Sequence, residues 1–186
     1  NLIFPLVPNK QVNTLLLPPV FGHPLVFSEL TPYISGGALG FRYPGHEKGE
    51  IMAGSIEELA SLAMSLFISH LQPGDDLQLI GYSMGGLIAF ELSLRLYRAG
   101  FPCNLIIIDV EPPFSYSVEG EKITGSKDSL QTLGNIIEQL SDGDLDLKAH
   151  LENMVKHNEN IIEAYRSDST TSADIQLIRL EENKNN

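Results

Sequence analysis

The five residues Gly81-Tyr82-Ser83-Met84-Gly85 constrain this chain more than any other stretch. They follow Asp76 to Gly81 (DLQLIG), which reads as a strand, and precede Leu87 to Arg98, which reads as a helix apolar on more than one side. A serine between glycines at a strand-to-helix junction implies an abrupt turn that lifts its hydroxyl out of the sheet edge. Side chains at the glycine positions would collide with neighbouring backbone, and Gly86 extends the same small-residue surface. A plain turn serine is the alternative; the strand before it and the helix after it argue against that.

The rest of the chain supplies a sheet for this turn. Val12 to Leu17 (VNTLLL) is a short apolar run ended by Pro18-Pro19 and reads as a buried strand. Pro24 to Ile34 carries Leu25, Val26, Leu30 and Ile34 at near-helical spacing, and Ala38 to Tyr43 predicts another strand closed by Pro44-Gly45. Ser55 caps a helix whose stripe is Leu59, Leu62, Ala63, Leu66 and Phe67, stopped by Pro73-Gly74. Asn104 to Val110, with three consecutive isoleucines, is the most β-like run. Strands alternating with helices predict right-handed crossovers and a mostly parallel sheet. Glu111 to Gly125 reads as loop; helices follow at about Lys127 to Leu140 and Leu145 to Arg166, and a last strand at Ala173 to Leu180. An excursion of this size between two strands, about residues 112–170, suggests a lid over a site.

Composition removes several function classes. With 186 residues, 42% of them hydrophobic, the chain suits one globular domain. A net charge of -12 lacks the basic footprint of a nucleic-acid binder. Cys103 is the only cysteine, which excludes an intrachain disulfide and fits a cytoplasmic setting. No apolar run reaches membrane-spanning length. The histidines lack metal-ligand spacing and the glycines form no nucleotide-binding loop. Asp142, Asp144 and Asp146 alternate as in a calcium loop, but Leu147 and Asn153 stand where glycine and glutamate are needed.

The chemistry then gathers around Ser83. The Met84 N–H, at the N-terminus of the following helix, is one expected oxyanion donor. The second comes from the loop Pro18-Pro19-Val20-Phe21-Gly22 and is assigned to the Val20 N–H, with Phe21 as the fallback. Asp109 closes the neighbouring strand, so its carboxylate emerges at the same sheet edge and can orient a base.

LLLPPVFGHPLVFSEL, GYSMGGLIAFELSLRLYRAG and NLIIIDVEPP resemble the thioesterase domains that end nonribosomal peptide and polyketide synthetases. The resemblance implies an α/β-hydrolase fold and a Ser83 nucleophile. It implies Asp109 as the acid and an oxyanion hole from Val20 and Met84. The implied partner is an acyl or peptidyl carrier domain presenting a phosphopantetheine thioester, with no dissociable cofactor and no metal. Rival readings are a stand-alone editing thioesterase, another carboxylesterase, and a non-catalytic carrier-binding module.

In that family the histidine lies on a loop beyond the strand matched here by ADIQLIRL, and this chain has none after His157. The expectation is a domain excised from a larger synthetase and incomplete at its C-terminus, or else a pseudo-enzyme. His150 and His157 read as surface residues of a lid helix, and none of the five histidines is assigned as base.

Overall fold

The computed structural model describes residues 1–8, 11–72, 74–109, 127–167 and 169–178, with side chains outside the description at 127–132. The loop read at Glu111 to Gly125 and the last two residues of the ADIQLIRL run lie outside the described residues. Six strands form one sheet: β1 (Ile3–Val7), β2 (Val12–Leu17), β3 (Gly37–Phe41), β4 (Leu77–Tyr82), β5 (Cys103–Ile108) and β6 (Ile175–Ile178). Their order is β1-β3-β2-β4-β5-β6. Only β1 runs antiparallel, against β3; every other pairing is parallel. The mostly parallel sheet of the sequence reading is therefore present.

Side-chain alternation along β2 divides the core. Leu15 and Leu17 pack with helices α1 (Ile56–Phe67) and α2 (Met84–Arg98) through Ile56, Leu59, Ala63, Phe67, Ile88 and Leu92. Leu16 points to the opposite face, with Ile80, Ala38 and Phe27. Between β5 and β6 lie α3 (Lys127–Ser141) and α4 (Leu145–Ala164). Their shared cluster of Ile137, Leu151, Met154 and Val155 reaches Val20, Phe21 and Met52. Capping is as the sequence implies for α1: the Ser55 side chain accepts from the Glu58 N–H at 3.2 Å.

Three local details differ from the sequence reading. Pro24 to Ile34 forms two 3-10 turns, Pro24–Phe27 and Thr31–Tyr33, instead of a helix. Pro32 has no N–H to continue a helical ladder, and the Thr31 hydroxyl donates to the Ser28 carbonyl at 2.8 Å. The stripe of α1 gives way to a 3-10 turn at Ile68–His70, before Pro73-Gly74 is reached. Strand β1 was not anticipated, because Pro5 interrupts its pattern; an edge strand tolerates a proline, and the register shifts between Pro5 and Val7.

Arg42, directly after β3, is almost fully buried at 2% exposure and forked onto Glu50 through 2.7 and 2.6 Å hydrogen bonds. Its Nε also donates to the Asn1 carbonyl at 3.1 Å. The Arg42 hydrogen bond holds the Glu50 carboxyl down at about 2, helped by N–H donors from Glu47 and Gly45. A depressed carboxyl stabilises the fold above its ordinary value of 4.5 and loses that contribution as pH falls toward 2. Glu50→Gln should therefore destabilise the protein at pH 7 by about 1–3 kcal/mol, the worth of a charge-assisted fork, since Glu47 stays 3.7 Å from the Arg42 guanidinium. Urea unfolding should show the gap to wild type closing as pH is lowered through 4 toward 2; a gap independent of pH contradicts this account.

Candidate active site

Ser83 sits at the N-cap of α2 with φ 51° and ψ −121°, a conformation that L-residues rarely adopt. Its N–H donates to the Ile108 carbonyl at 2.8 Å, and its carbonyl accepts from Gly86 at 2.8 Å. The flanking glycines are required by space. A Cβ on Gly81 would lie 2.3 Å from the Gly85 carbonyl oxygen, and one on Gly85 would lie 1.9 Å from that of Leu17. The turn is thus tight enough to bring the start of α2 against the end of β2.

Asp109 leaves β5 as Ser83 leaves β4. Tyr82 and Ile108 are register partners, so the two residues emerge side by side at the carboxyl edge of adjacent parallel strands. Asp109 also has positive φ, 53°, and its N–H donates to the Ile178 carbonyl at 2.7 Å. Burial, and then the Asp109 charge, push the Tyr82 phenol above its ordinary range.

The loop after β2 closes the third side. Gly22 donates to the Pro19 carbonyl at 2.8 Å, which makes Pro19 to Gly22 a four-residue turn. The buried Tyr43 hydroxyl donates to the Pro18 carbonyl, and the Tyr43 N–H donates to Gly22 at 2.9 Å. A Cβ on Gly85 would also lie 2.6 Å from the Pro18 carbonyl oxygen, so this loop abuts the start of α2. Among the described residues, neither the Val20 nor the Met84 N–H donates to a protein acceptor. Both lie where the sequence placed them, in the loop and at the helix start.

All five histidines fall among the described residues, and none hydrogen-bonds Ser83 or Asp109 there. His23 accepts from the Leu25 N–H at 3.3 Å, and its ring lies 5.0 Å from that of His46. His46 is held at about 4, first by burial and then by the His23 charge, and its Nε2 is buried without a described partner. Reading His150 and His157 as surface residues needs correction. Both are half-buried: His150 Nε2 bonds the His46 carbonyl at 3.2 Å and His157 Nε2 the Ala53 carbonyl at 2.7 Å. The polar run Lys156 to Asn160 conceals a helix with one face turned inward. That face also carries Asn158, 5% exposed, whose Nδ2 donates to the Val20 carbonyl at 2.8 Å. Asn158 had been passed over, although its place in the stripe Leu151, Met154, Asn158, Ile161, Tyr165 was a signal.

Among the described residues no group of His, Cys, Asp and Glu side chains could hold a metal ion. No helix there is long and apolar enough to cross a membrane. The arrangement sets a strained serine beside a carboxylate and near two N–H groups that donate to no described acceptor. Gly85→Ala should cost at least about 3 kcal/mol by urea denaturation, since backbone itself must move. Gly134→Ala, in α3 with open space around it, should instead gain about 0.5–1 kcal/mol.

The thioesterase domain profile matches residues 14–185. A nonribosomal peptide synthetase of Aspergillus flavus is 26% identical over 160 residues, covering 78% of this chain and 2% of its own length. The inactive atromentin synthetase of Paxillus involutus is 31% identical over 115 residues, 58% of this chain and 12% of its own. The chain thus spans a small fraction of these curated relatives. In fold it is similar to YbtT, a type II thioesterase from a yersiniabactin pathway, with TM-score 0.72, 21% identity and coverage of 96% and 78%. A four-domain nonribosomal peptide synthetase gives TM-score 0.74 at 17% identity, with 100% of this chain and 17% of that one covered. With a matched α/β-hydrolase architecture and a profile spanning nearly the whole chain, this protein belongs to the thioesterase domain family.

Proposed function

We propose that Ser83 is the nucleophile of a serine thioesterase that takes acyl or peptidyl chains from the phosphopantetheine of a carrier domain. The observation that carries this reading is the strained Ser83 turn, set beside Asp109 and two N–H groups that donate to no described residue. The Ser83 hydroxyl oxygen attacks the thioester carbonyl, and the carbonyl oxygen becomes an oxyanion between the Val20 and Met84 N–H groups. Collapse expels the pantetheine thiol and leaves an acyl ester on Ser83. Water, or an internal nucleophile of the chain, then releases the product. Asp109 orients the general base, a role given to none of the five histidines. Helices α3 and α4 form the lid, with the apolar cluster around Leu151 and Met154 over the oxyanion loop. Release at the end of synthesis and editing of misloaded carriers both use this chemistry, and the fold is shared with a type II thioesterase and with a four-domain nonribosomal peptide synthetase.

A second reading, a carrier-binding module without turnover, is favoured by the placement of the histidines away from Ser83 and Asp109. One experiment separates the two. Thiol release from an acyl-pantetheine thioester is followed alongside the intact mass of the protein. Under the main reading Ser83 gains the acyl mass, and Ser83→Ala abolishes both that mass gain and the Ser83-dependent thiol release. Asp109→Asn should slow acylation of Ser83 in the same assay. Retained release by Ser83→Ala sinks the nucleophile assignment, whereas carrier binding without thiol release favours the module.

A further inference from the structure

We propose that Asn158, on α4, is a positioning residue for the oxyanion hole: its side-chain amide holds the Val20 carbonyl and so fixes the backbone that presents the oxyanion N–H. The inference rests on the reading of Ser83 and Val20 above.

Asn158 occupies a core position. It is 5% exposed within a helix face otherwise made of Leu151, Met154, Val155 and Ile161. A buried primary amide is costly unless it is hydrogen-bonded, and this one donates to the Val20 carbonyl at 2.8 Å. That carbonyl is the central one of the Pro19 to Gly22 turn. In a four-residue turn the central peptide is the movable part: the two common forms differ by about 150° in ψ of the second residue. The Gly22 N–H already fixes the Pro19 carbonyl, hence the peptide before Val20. Asn158 fixes the peptide after it. With both peptides anchored, φ and ψ of Val20 are set, and so is the direction of its N–H. The Phe21 N–H belongs to the same peptide as the Val20 carbonyl and is aligned by this contact directly; the Val20 N–H is held by the Gly22 bond to Pro19 and is steadied by Asn158 through the fixed torsions of Val20.

The rest of the helix holds Asn158 in register. His157, the preceding residue, bonds the Ala53 carbonyl at 2.7 Å, and Tyr165, at the end of α4, donates to Glu91 of α2 at 2.8 Å. Seating of α4 and formation of the oxyanion hole become one event. A helix lifted off the loop withdraws the Asn158 donor and frees the central peptide to rotate.

The test uses the full chain with Asn158→Leu and Asn158→Asp, which remove the donor with little change of size, and Asn158→Gln, which restores one. Single-turnover acylation of Ser83 by an acyl-pantetheine thioester should slow about ten- to hundredfold in the first two, with KM little changed, and recover partly in Asn158→Gln. Hydrogen exchange gives a readout independent of turnover. The Gly22 amide, whose N–H closes the turn onto the Pro19 carbonyl, should exchange faster, while amides of β4 and α2 keep wild-type protection. Unchanged exchange at Gly22, acylation at the wild-type rate in Asn158→Leu, or loss of protection throughout β4 and α2 would each overturn the proposal. Ser83→Ala in the same assay separates the failures: if it turns over like wild type, the nucleophile reading falls, whatever the Asn158 variants do.

Discussion

The contact between the Gly85 backbone at the start of α2 and the Leu17 and Pro18 carbonyls at the end of β2 is the constraint on which the rest of the site depends. No side chain fits between them, since a Cβ on Gly85 would lie 1.9 Å from the Leu17 oxygen. Close approach brings the positive end of the α2 dipole against the loop that carries Val20. It also forces β4 to turn within one residue, which is why Ser83 takes φ 51°. Serine strain, donor alignment and loop position are thus consequences of one packing distance. A wider gap would relax Ser83 and separate the two N–H groups together.

A second level of order comes from helices far along the chain. The α3 and α4 pair buries its apolar stripe on Val20, Phe21 and Met52, so the loop after β2 is covered by a hydrophobic partner. Apolar contact alone leaves rotation of a peptide plane nearly free, because it is non-directional. Direction comes from the polar contacts: Tyr43 to Pro18, Gly22 to Pro19 and Asn158 to Val20. Each fixes one carbonyl of three successive residues. The His150 and His157 bonds to His46 and Ala53 then pin α4 across the 43–55 segment.

Features set by local periodicity were legible in the sequence. The VNTLLL, DLQLIG and NLIIID runs became β2, β4 and β5, and Ser55 capped its helix, because burial and capping act within a few residues. The glycine pattern implies the tight turn, because only glycine fits at positions 81 and 85. What escaped depended on partners distant in sequence. β1 carries a proline and is a strand only because β3 offers it an edge. His150, His157 and Asn158 sit in a run of polar residues, and polarity alone says exposed; their partners lie 104 to 138 residues away. Asn158 was the more readable of these, since it interrupts an apolar stripe. The placement of a base for Ser83 was not legible from periodicity, because a base is defined by where the fold delivers it.

The two strained residues share a device that explains how the sheet holds them. Ser83 and Asp109 each follow the last residue of a parallel strand, take positive φ, and donate their N–H to the last described carbonyl of the next strand: Ile108 for Ser83, Ile178 for Asp109. The ladder is carried one residue beyond each strand before the chain departs. Backbone strain of this kind costs about 1–3 kcal/mol per residue and persists only where surroundings over-determine it. For Ser83 the surroundings are central, since β4 and β5 are flanked on both sides. For Asp109 they include β6, a four-residue strand whose Ile175, Leu177 and Ile178 are nearly half exposed. Ser83 is therefore anchored in the interior of the sheet and Asp109 near its margin. Any partner or chain segment that packs on β6 would stiffen Asp109 first and Ser83 only through it.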